Sequence, residues 1–442
     1  MRLKKLSSVL LIISLMFMGF ACSDSSSSTQ PATVNGRVEG SNSQSKAKTS
    51  NVQSTTASSG VEGAVVTAGR VQSDGTIKMI DGAKTTTEAD GSYSLNVDAS
   101  ANSNVVVMAE KNGQKWKAYV SSQLQSGSTV EAKPMNTEST AETEVLTKIV
   151  TQGNSNYVTV SDIETYVDAN LAAQIQGHSE AESEVAGAIV EEANARAKYF
   201  AQSSVDVSQQ TFQQALKAKA EAQTKLEARL NEASSMDEKQ AAYDAFFKSN
   251  VSAYADADIS LKTYAQAKEF SDKVLLKNSA SLSSDAQAAL RANSAMITAI
   301  ALDNATQAEL KAMNASDSGM QAAVNAGATL RSNIRAYASA TADDIKTEFK
   351  NYHDKIVQIM DDESSAEAGV VVNIDADINA SNGPKATLDA AISATASTDV
   401  VLDAYTTFYN AIQTMVKNNL NVNDSAEADA TTQLLILINA SS

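Results

Sequence analysis

The chain has 442 residues, a formal net charge of −17 and a single cysteine. This length allows two or three domains with a substantial core, and one cysteine excludes an internal disulfide, a cysteine zinc site and a CxxCH haem attachment. The negative charge repels phosphate backbones, so we expect no nucleic-acid partner.

The first 22 residues combine a basic start with a short apolar run. Arg2, Lys4 and Lys5 precede the apolar stretch 9–18, which is shorter than the about 20 residues that span a bilayer. The pattern predicts a signal peptide over 1–21 that is removed after export. Cys22 and a serine-rich tether follow, over 22–31. The segment resembles a bacterial lipoprotein signal, which implies that Cys22 carries a lipid and becomes the new N-terminus.

Residues 32–135 contain short apolar runs separated by glycine-containing turns. Runs at 34–38, 61–71, 104–109, 115–121 and 129–135 predict the strands of a small β-sandwich. Asp74–Gly75 and Asp81–Gly82 predict hairpin turns, because glycine supplies the positive φ that such turns need. The serine- and threonine-rich stretch 41–59 predicts a disordered loop.

Three segments of this β region follow a recognisable pattern: NGRV, VEGAVVTA and TEADGSYSLNV. The last contains Thr87, Asp90, Gly91 and Tyr93 in the spacing T-x-x-D-G-x-Y. Together they resemble the carboxypeptidase regulatory-like domain, a transthyretin-like sandwich. The resemblance implies an accessory domain without catalytic residues, with a role in stability or adhesion.

The remainder of the chain, 140–442, predicts a large all-α bundle of long helices. No glycine or proline occurs between Gly187 and Gly319, and the composition favours Ala, Glu, Lys, Gln and Leu. The run 235–277 predicts one long helix. Residues 364–383 interrupt the helical pattern, because apolar and polar residues alternate there as in a strand or loop. The predicted architecture is therefore multidomain, β first and then α.

Two aromatic or histidine-containing segments suggest chemistry but have simpler explanations. The stretch 177–181, GHSEA, is similar to the nucleophile elbow of lipases, yet no strand precedes it. We interpret it as a helix junction, with Gly177 ending one helix and Ser179 capping the next. We expect His353 at a half-exposed helical position. Trp116 alternates in phase with the apolar face of its strand, which favours core packing over sugar stacking.

Calcium is the one cofactor that the sequence suggests. Asp375, Asp377 and Asn379 reproduce the D-x-D-x-N opening of a calcium loop. Ala380 and Ala386 replace the glycine and the bidentate glutamate of the full loop. The alternatives are therefore a looser calcium site or a solvated strand or loop, and no other metal or cofactor is predicted.

These observations predict a non-catalytic protein held in the outer membrane by its lipid, either periplasm-facing or surface-exposed. We expect a scaffold, adhesin or binding module with a protein or polysaccharide partner. The alternative is a ligand-binding lipoprotein with a pocket between helices of the C-terminal region. A cavity with a few convergent polar groups would favour the alternative.

Overall fold

A computed structural model describes residues 30–40, 60–98, 105–120, 124–153, 158, 160–202, 260–336, 341–394 and 397–441, with single positions at 225, 229, 245 and 249. The predicted signal peptide 1–21, Cys22, nearly all of the tether and the predicted loop 41–59 lie outside the described residues. So does most of the predicted helix 235–277.

Seven strands in the described residues form two facing sheets. They are β1 (Ala32–Arg37), β2 (Val65–Val71), β3 (Ile77–Thr86), β4 (Ser92–Val97), β5 (Val105–Lys111), β6 (Gln114–Val120) and β7 (Thr129–Glu131). One sheet has the order β4-β1-β7 and the other β3-β2-β5-β6. Val34, Leu95 and Val107 contribute to the core of this β region. Trp116 belongs to the same core and is only 5% exposed, as the strand alternation predicted.

The glycine turns are partly as predicted. Gly75 has a φ of +79° between β2 and β3, which confirms the hairpin at Asp74–Gly75. Gly82 also has a positive φ, but it lies inside β3, which continues through it. The register between β2 and β3 shifts nearby, so Asp81–Gly82 forms an irregularity in the ladder and not a hairpin.

The rest of the described chain is helical. The twelve helices are α1 (Thr137–Thr151), α2 (Val160–Tyr166), α3 (Ala169–Ile175), α4 (Ser179–Gln202), α5 (Leu261–Asn278), α6 (Ser284–Ala312), α7 (Asp317–Ala336), α8 (Ala342–Glu363), α9 (Val370–Ile378), α10 (Pro384–Ala394), α11 (Thr398–Asn419) and α12 (Ser425–Ser441). The predicted order, β first and then a large helical region, is confirmed.

Two helix boundaries differ from the sequence prediction. Helix α5 begins at Leu261, and the Ser260 side chain accepts a hydrogen bond from the Thr263 amide at 3.2 Å. A helix cap at Ser260 means that 235–277 is not one continuous helix. The strand or loop expected at 364–383 is also wrong over α9, where Val371, Ile374 and Ile378 lie on one buried face. Their spacings of three and four residues fit the period of a helix. The prediction used the alternation at every second residue, which is typical of a strand.

Helix α1 joins the helical region to the sandwich. The Lys117 amide donates to Thr140 Oγ1 at 3.0 Å, and Ser139 Oγ donates to the Lys117 carbonyl at 2.7 Å. Val71 and Val106 of the sheet share one apolar cluster with residues of α1, α3 and α4. The division into units 32–135 and 140–442 stays a prediction, with Thr137 as the first residue of the helical region.

Helix α5 occupies the centre of the helical region, where it packs against α4, α6, α11 and α12. All residues from 264 to 272 are buried, so its charged residues are enclosed together with its apolar ones. A helix that is surrounded in this way places charge where water does not reach it. This position of α5 creates the candidate site.

Candidate functional site

A cavity of about 260 Å³ lies between α5, α6, α8, α10 and the end of α12. Ligand pockets for drug-sized molecules measure about 300–1,000 Å³, so this cavity suits a smaller molecule. One part of its wall is apolar and contains Leu276, Ala295, Ile345 and Phe349. The remainder is charged, with the side chains Glu269, Asp272, Lys273, Arg291, Lys346, Lys385 and Asp389.

Helix α5 contributes the central part of the charged wall. Glu269, Lys273 and Leu276 follow one another at spacings of four and three residues, so they lie on one helical face. Phe270 and Val274, each one position later, belong to the apolar core. The same helix therefore directs an apolar face into the core and a charged face into the cavity.

Glu269 is enclosed and poorly supplied with hydrogen bonds. Its residue is 1% exposed, and neither carboxyl oxygen accepts a hydrogen bond of ordinary geometry among the described residues, although the Ser441 hydroxyl lies near enough to interact with it. Burial raises the pKa of the Glu269 carboxyl well above its ordinary value, and Lys273 and the Ser441 hydroxyl oppose this only in part. Burial therefore favours the neutral carboxylic acid form of Glu269, which can donate one hydrogen bond and accept others.

Lys273 lies one turn further along α5 and is half-buried. Burial, followed by the positive charge of Lys385, lowers the pKa of the Lys273 ammonium. None of the ion pairs found among the described residues includes Lys273. A lysine that faces a cavity without a carboxylate partner is available to a negatively charged ligand.

The other two acidic side chains of the cavity wall are already paired. Lys385 Nζ lies 2.7 Å from both carboxylate oxygens of Asp389. Asp272 Oδ1 lies 2.9 Å from Lys268 Nζ, and its other oxygen accepts a hydrogen bond from Thr298. Of the basic side chains of the wall, Lys273 and Lys346 belong to no ion pair among the described residues.

Asp272 also links the cavity to a second group of buried charges, the Arg196 network. This network consists of Asp162, Tyr166, Glu192, Arg196, Lys268, Ser271 and Asp272. Glu192 lies 2.9 Å from Lys268 and 3.0 Å from Arg196. Burial alone would raise the pKa of Glu192, but Arg196 and Lys268 outweigh it and lower the pKa. Each ionised side chain of the network has an opposite charge beside it, so the charges of the network are paired within the protein.

The predicted calcium residues do not lie in the cavity. Asp375 and Asn379 are one turn apart on α9, and Asn379 Nδ2 lies 3.3 Å from Asp375 Oδ1. Asp377 is exposed, and residues two apart on a helix do not face each other. In the part of the chain that the structure describes, no three His, Cys, Asp or Glu side chains cluster as a metal site needs. Calcium binding stays a prediction, which thermal unfolding with calcium against a chelator tests.

Asp375 instead belongs to a hydrogen-bonded cluster around His353. His353 Nε2 lies 3.0 Å from Asp375 Oδ1 and 3.2 Å from Asn439 Oδ1. Burial lowers the pKa of His353, but hydrogen bonds and charge from Asp375, and then from Asp354, give a net increase. His353 is buried, so the expected half-exposed position is wrong. Hydrogen bonds to Asp375 and Asp354 offset the free-energy cost of burying this side chain.

The stretch 177–181 forms a helix junction, as predicted, but Ser179 is the first residue of α4 and not its cap, because the Glu182 amide donates to the His178 carbonyl at 3.0 Å. Gly177 has a φ of +77° after α3, and α4 begins at Ser179. The Ser179 hydroxyl accepts a hydrogen bond from Lys148 at 3.1 Å, and His178 is exposed. No strand precedes the serine, so the geometry of a nucleophile elbow is missing there.

Glu269 and Lys273 were not predicted from the sequence as site residues. Charged residues at a spacing of four in a helix ordinarily indicate a solvated face. One signal was present: Lys268, Glu269, Asp272 and Lys273 are interrupted by Phe270 and followed by Val274, so the charges occur on more than one side of an apolar helix. An amphipathic surface helix confines its charges to one side.

Comparison of the chain with family models, with curated proteins and with solved structures finds no match. Within the described ranges, no helix combines the length and apolar character needed to cross a bilayer. The features of the chain that bear on its function are therefore the cavity and the N-terminal sequence.

Proposed function

We propose that this chain is a lipid-anchored protein of the bacterial envelope whose helical region binds a small molecule in the cavity between α5, α6, α8, α10 and α12. The observation that supports binding is the pair Glu269 and Lys273. Both face the cavity. Lys273 belongs to none of the ion pairs among the described residues, and the Glu269 oxygens accept no hydrogen bond of ordinary geometry there beyond the interaction with the Ser441 hydroxyl. Buried polar groups without partners cost free energy, so a cavity that retains them favours a ligand that satisfies them.

The remaining parts of the proposal come from the sequence. The lipoprotein-like signal supports an anchor at Cys22, and the resemblance of 32–135 to the carboxypeptidase regulatory-like domain supports an accessory role for the sandwich. We place the protein in the outer membrane, either periplasm-facing or surface-exposed. The scaffold and adhesin roles, with a protein or polysaccharide partner, stay predictions. The cavity makes ligand binding the stronger proposal.

Filling the cavity tests the binding function. Ala295 lies in the apolar wall and is 7% exposed, so Ala295→Phe places a ring in the space that a ligand would occupy. We expect the native chain, but not this variant, to bind at least some members of a panel of small aromatic and aliphatic molecules by ligand-observed NMR. Circular dichroism verifies that the variant is folded.

A control at a distance is Ala326→Phe on α7, which is outside the cavity wall. Binding should survive this change if the variant remains folded. The binding proposal is wrong if the native chain binds no member of the panel, or if Ala295→Phe binds the same members with the same affinity.

The anchor is tested separately, because it does not depend on the cavity. Expressed with its own signal, the native chain should partition into detergent and carry a lipid mass increment, whereas Cys22→Ser should do neither. Attached acyl chains hold a protein at a membrane through the burial of their methylene groups. Equal partitioning of both forms, without a mass increment in either, contradicts the anchor.

A further inference from the structure

The charges of the cavity indicate the chemical class of its ligand. Four basic side chains line it: Lys273, Arg291, Lys346 and Lys385. Lys385 forms an ion pair with Asp389. The carboxylate of Asp272 forms an ion pair with Lys268 and accepts a hydrogen bond from Thr298. Among the described residues of the wall, Glu269 is the one remaining acidic group. Lys273 and Lys346 therefore contribute positive charge that no ion pair of the described residues balances, within a chain whose net charge is −17.

Positive charge in a cleft attracts anions. It does so even though the net negative charge of the rest of the chain repels them. The apolar part of the wall, which includes Ile345 and Phe349, requires that the ligand also has an apolar body. Inorganic anions lack such a body and gain nothing from this wall.

Glu269, whose oxygens accept no hydrogen bond of ordinary geometry among the described residues, limits the chemical class of the ligand further. As a neutral carboxylic acid it can donate a short hydrogen bond to a carboxylate oxygen, in the arrangement in which two carboxyl groups share one proton. Lys273, one turn away on the same helical face, can supply the balancing positive charge to the same group. A neutral or cationic ligand would leave Lys273 unpaired.

We propose that the cavity binds the carboxylate of a small apolar carboxylic acid, held between Glu269 and Lys273, with its hydrocarbon part against Ile345 and Phe349. This inference rests on the proposed binding function and specifies its ligand. No covalent step is involved. The ligand is recognised by one charge, one shared proton and an apolar contact.

Matched probes test the class. Benzoate, benzamide, benzylamine and phenyl phosphate share a ring and differ in the polar group, and butyrate, butyramide and butylamine repeat the series with an aliphatic body. We expect the native full-length chain to bind the carboxylate of each series at least about tenfold more tightly than its amide, which corresponds to about 1.4 kcal/mol. The amines should not bind measurably. Affinities are measured by NMR titration at constant pH and salt.

Variants of Lys273 assign the preference to this side chain. Lys273→Met should abolish the advantage of benzoate over benzamide, and Lys273→Arg should retain it because the charge is kept. Lys277→Met, one turn further along α5 and outside the cavity wall, is the matched control and should leave the preference unchanged. Circular dichroism at the titration temperature shows which variants are folded.

The possible outcomes separate this inference from the binding function. If benzamide binds as tightly as benzoate and Ala295→Phe removes both, the cavity binds ligands but the carboxylate assignment is wrong. Tighter binding of phenyl phosphate than of benzoate, or an unchanged preference in a folded Lys273→Met variant, also contradicts the assignment. If no probe binds, the binding function itself fails.

Discussion

Helix α5 carries two pairs of opposite charges at the same spacing of four residues, and their surroundings differ. Lys268 and Asp272 belong to the Arg196 network, where the ammonium and carboxylate lie 2.9 Å apart. Glu269 and Lys273, each one position later, face the cavity, and among the described residues the Glu269 oxygens accept no hydrogen bond of ordinary geometry. The same local sequence pattern thus produces a closed pair and an open pair.

The closed and open pairs show that buried charged side chains can serve either the fold or a binding site. In the closed pair each charge is neutralised by a neighbour, so the pair contributes to a defined arrangement of α2, α4 and α5. In the open pair the cost of burial is left uncompensated within the protein. An uncompensated buried group in a cavity is typical of a binding site.

Matched substitutions in α5 give the largest expected contrast. Lys268→Met leaves the buried carboxylates of Glu192 and Asp272 without their shared cation, and we expect a loss of about 3–5 kcal/mol in the free energy of unfolding. Lys273→Met removes a cation that has no carboxylate partner, and we expect a change within about 1 kcal/mol, or a gain. Urea unfolding of the full chain measures both.

The two lysines lie on the same helix and differ in their partners, which makes each the control for the other. Losses of equal size in the two variants would show that the open pair is as structural as the closed one. A larger loss in Lys273→Met would reverse our interpretation.

The pH dependence of stability should reveal the neutral state of Glu269. Its folded pKa lies above that of the unfolded chain, about 4.3, so the folded protein holds a proton that the unfolded chain releases as pH rises. The contribution of this proton to the free energy of unfolding is therefore complete below about pH 4.3. It is lost at about 1.4 kcal/mol per pH unit as pH rises toward the pKa of Glu269 in the folded protein. Glu269→Gln removes this loss.

We therefore expect the stability of Glu269→Gln, relative to the native chain, to increase from pH 4.5 to pH 7. Thermal unfolding at several pH values measures the difference, and Glu180→Gln, at an exposed position of α4, is the control that should show no such trend. A difference that stays constant across this range means that Glu269 is ionised in the folded protein.

The sequence predicted the parts of the fold that local patterns determine. The absence of glycine and proline between Gly187 and Gly319 predicted helices because these residues disfavour helix interiors. Asp74–Gly75 predicted its hairpin, but the similar Asp81–Gly82 lies within a strand, since a positive φ also suits an irregular ladder. The break at Ser260 was missed, although serine is a favoured cap.

The cavity could not be predicted in the same way. Its wall combines residues from 269 to 441, on five helices that meet only in the folded chain. Periodicity identifies the apolar face of one helix but not which helices enclose it. Lys268 and Lys273 are equivalent in a sequence pattern, and only their neighbours, Glu192 for one and the cavity for the other, separate their roles.

The most direct test of the open pair is a crystal structure of the full mature chain soaked with benzoate. We predict the ligand in the cavity, with its carboxylate within hydrogen-bond distance of Lys273 Nζ and a Glu269 oxygen and its ring against Phe349. The Arg196 network should be unchanged. Benzoate bound with its carboxylate away from Lys273, or an empty cavity at saturating concentration, would contradict the account.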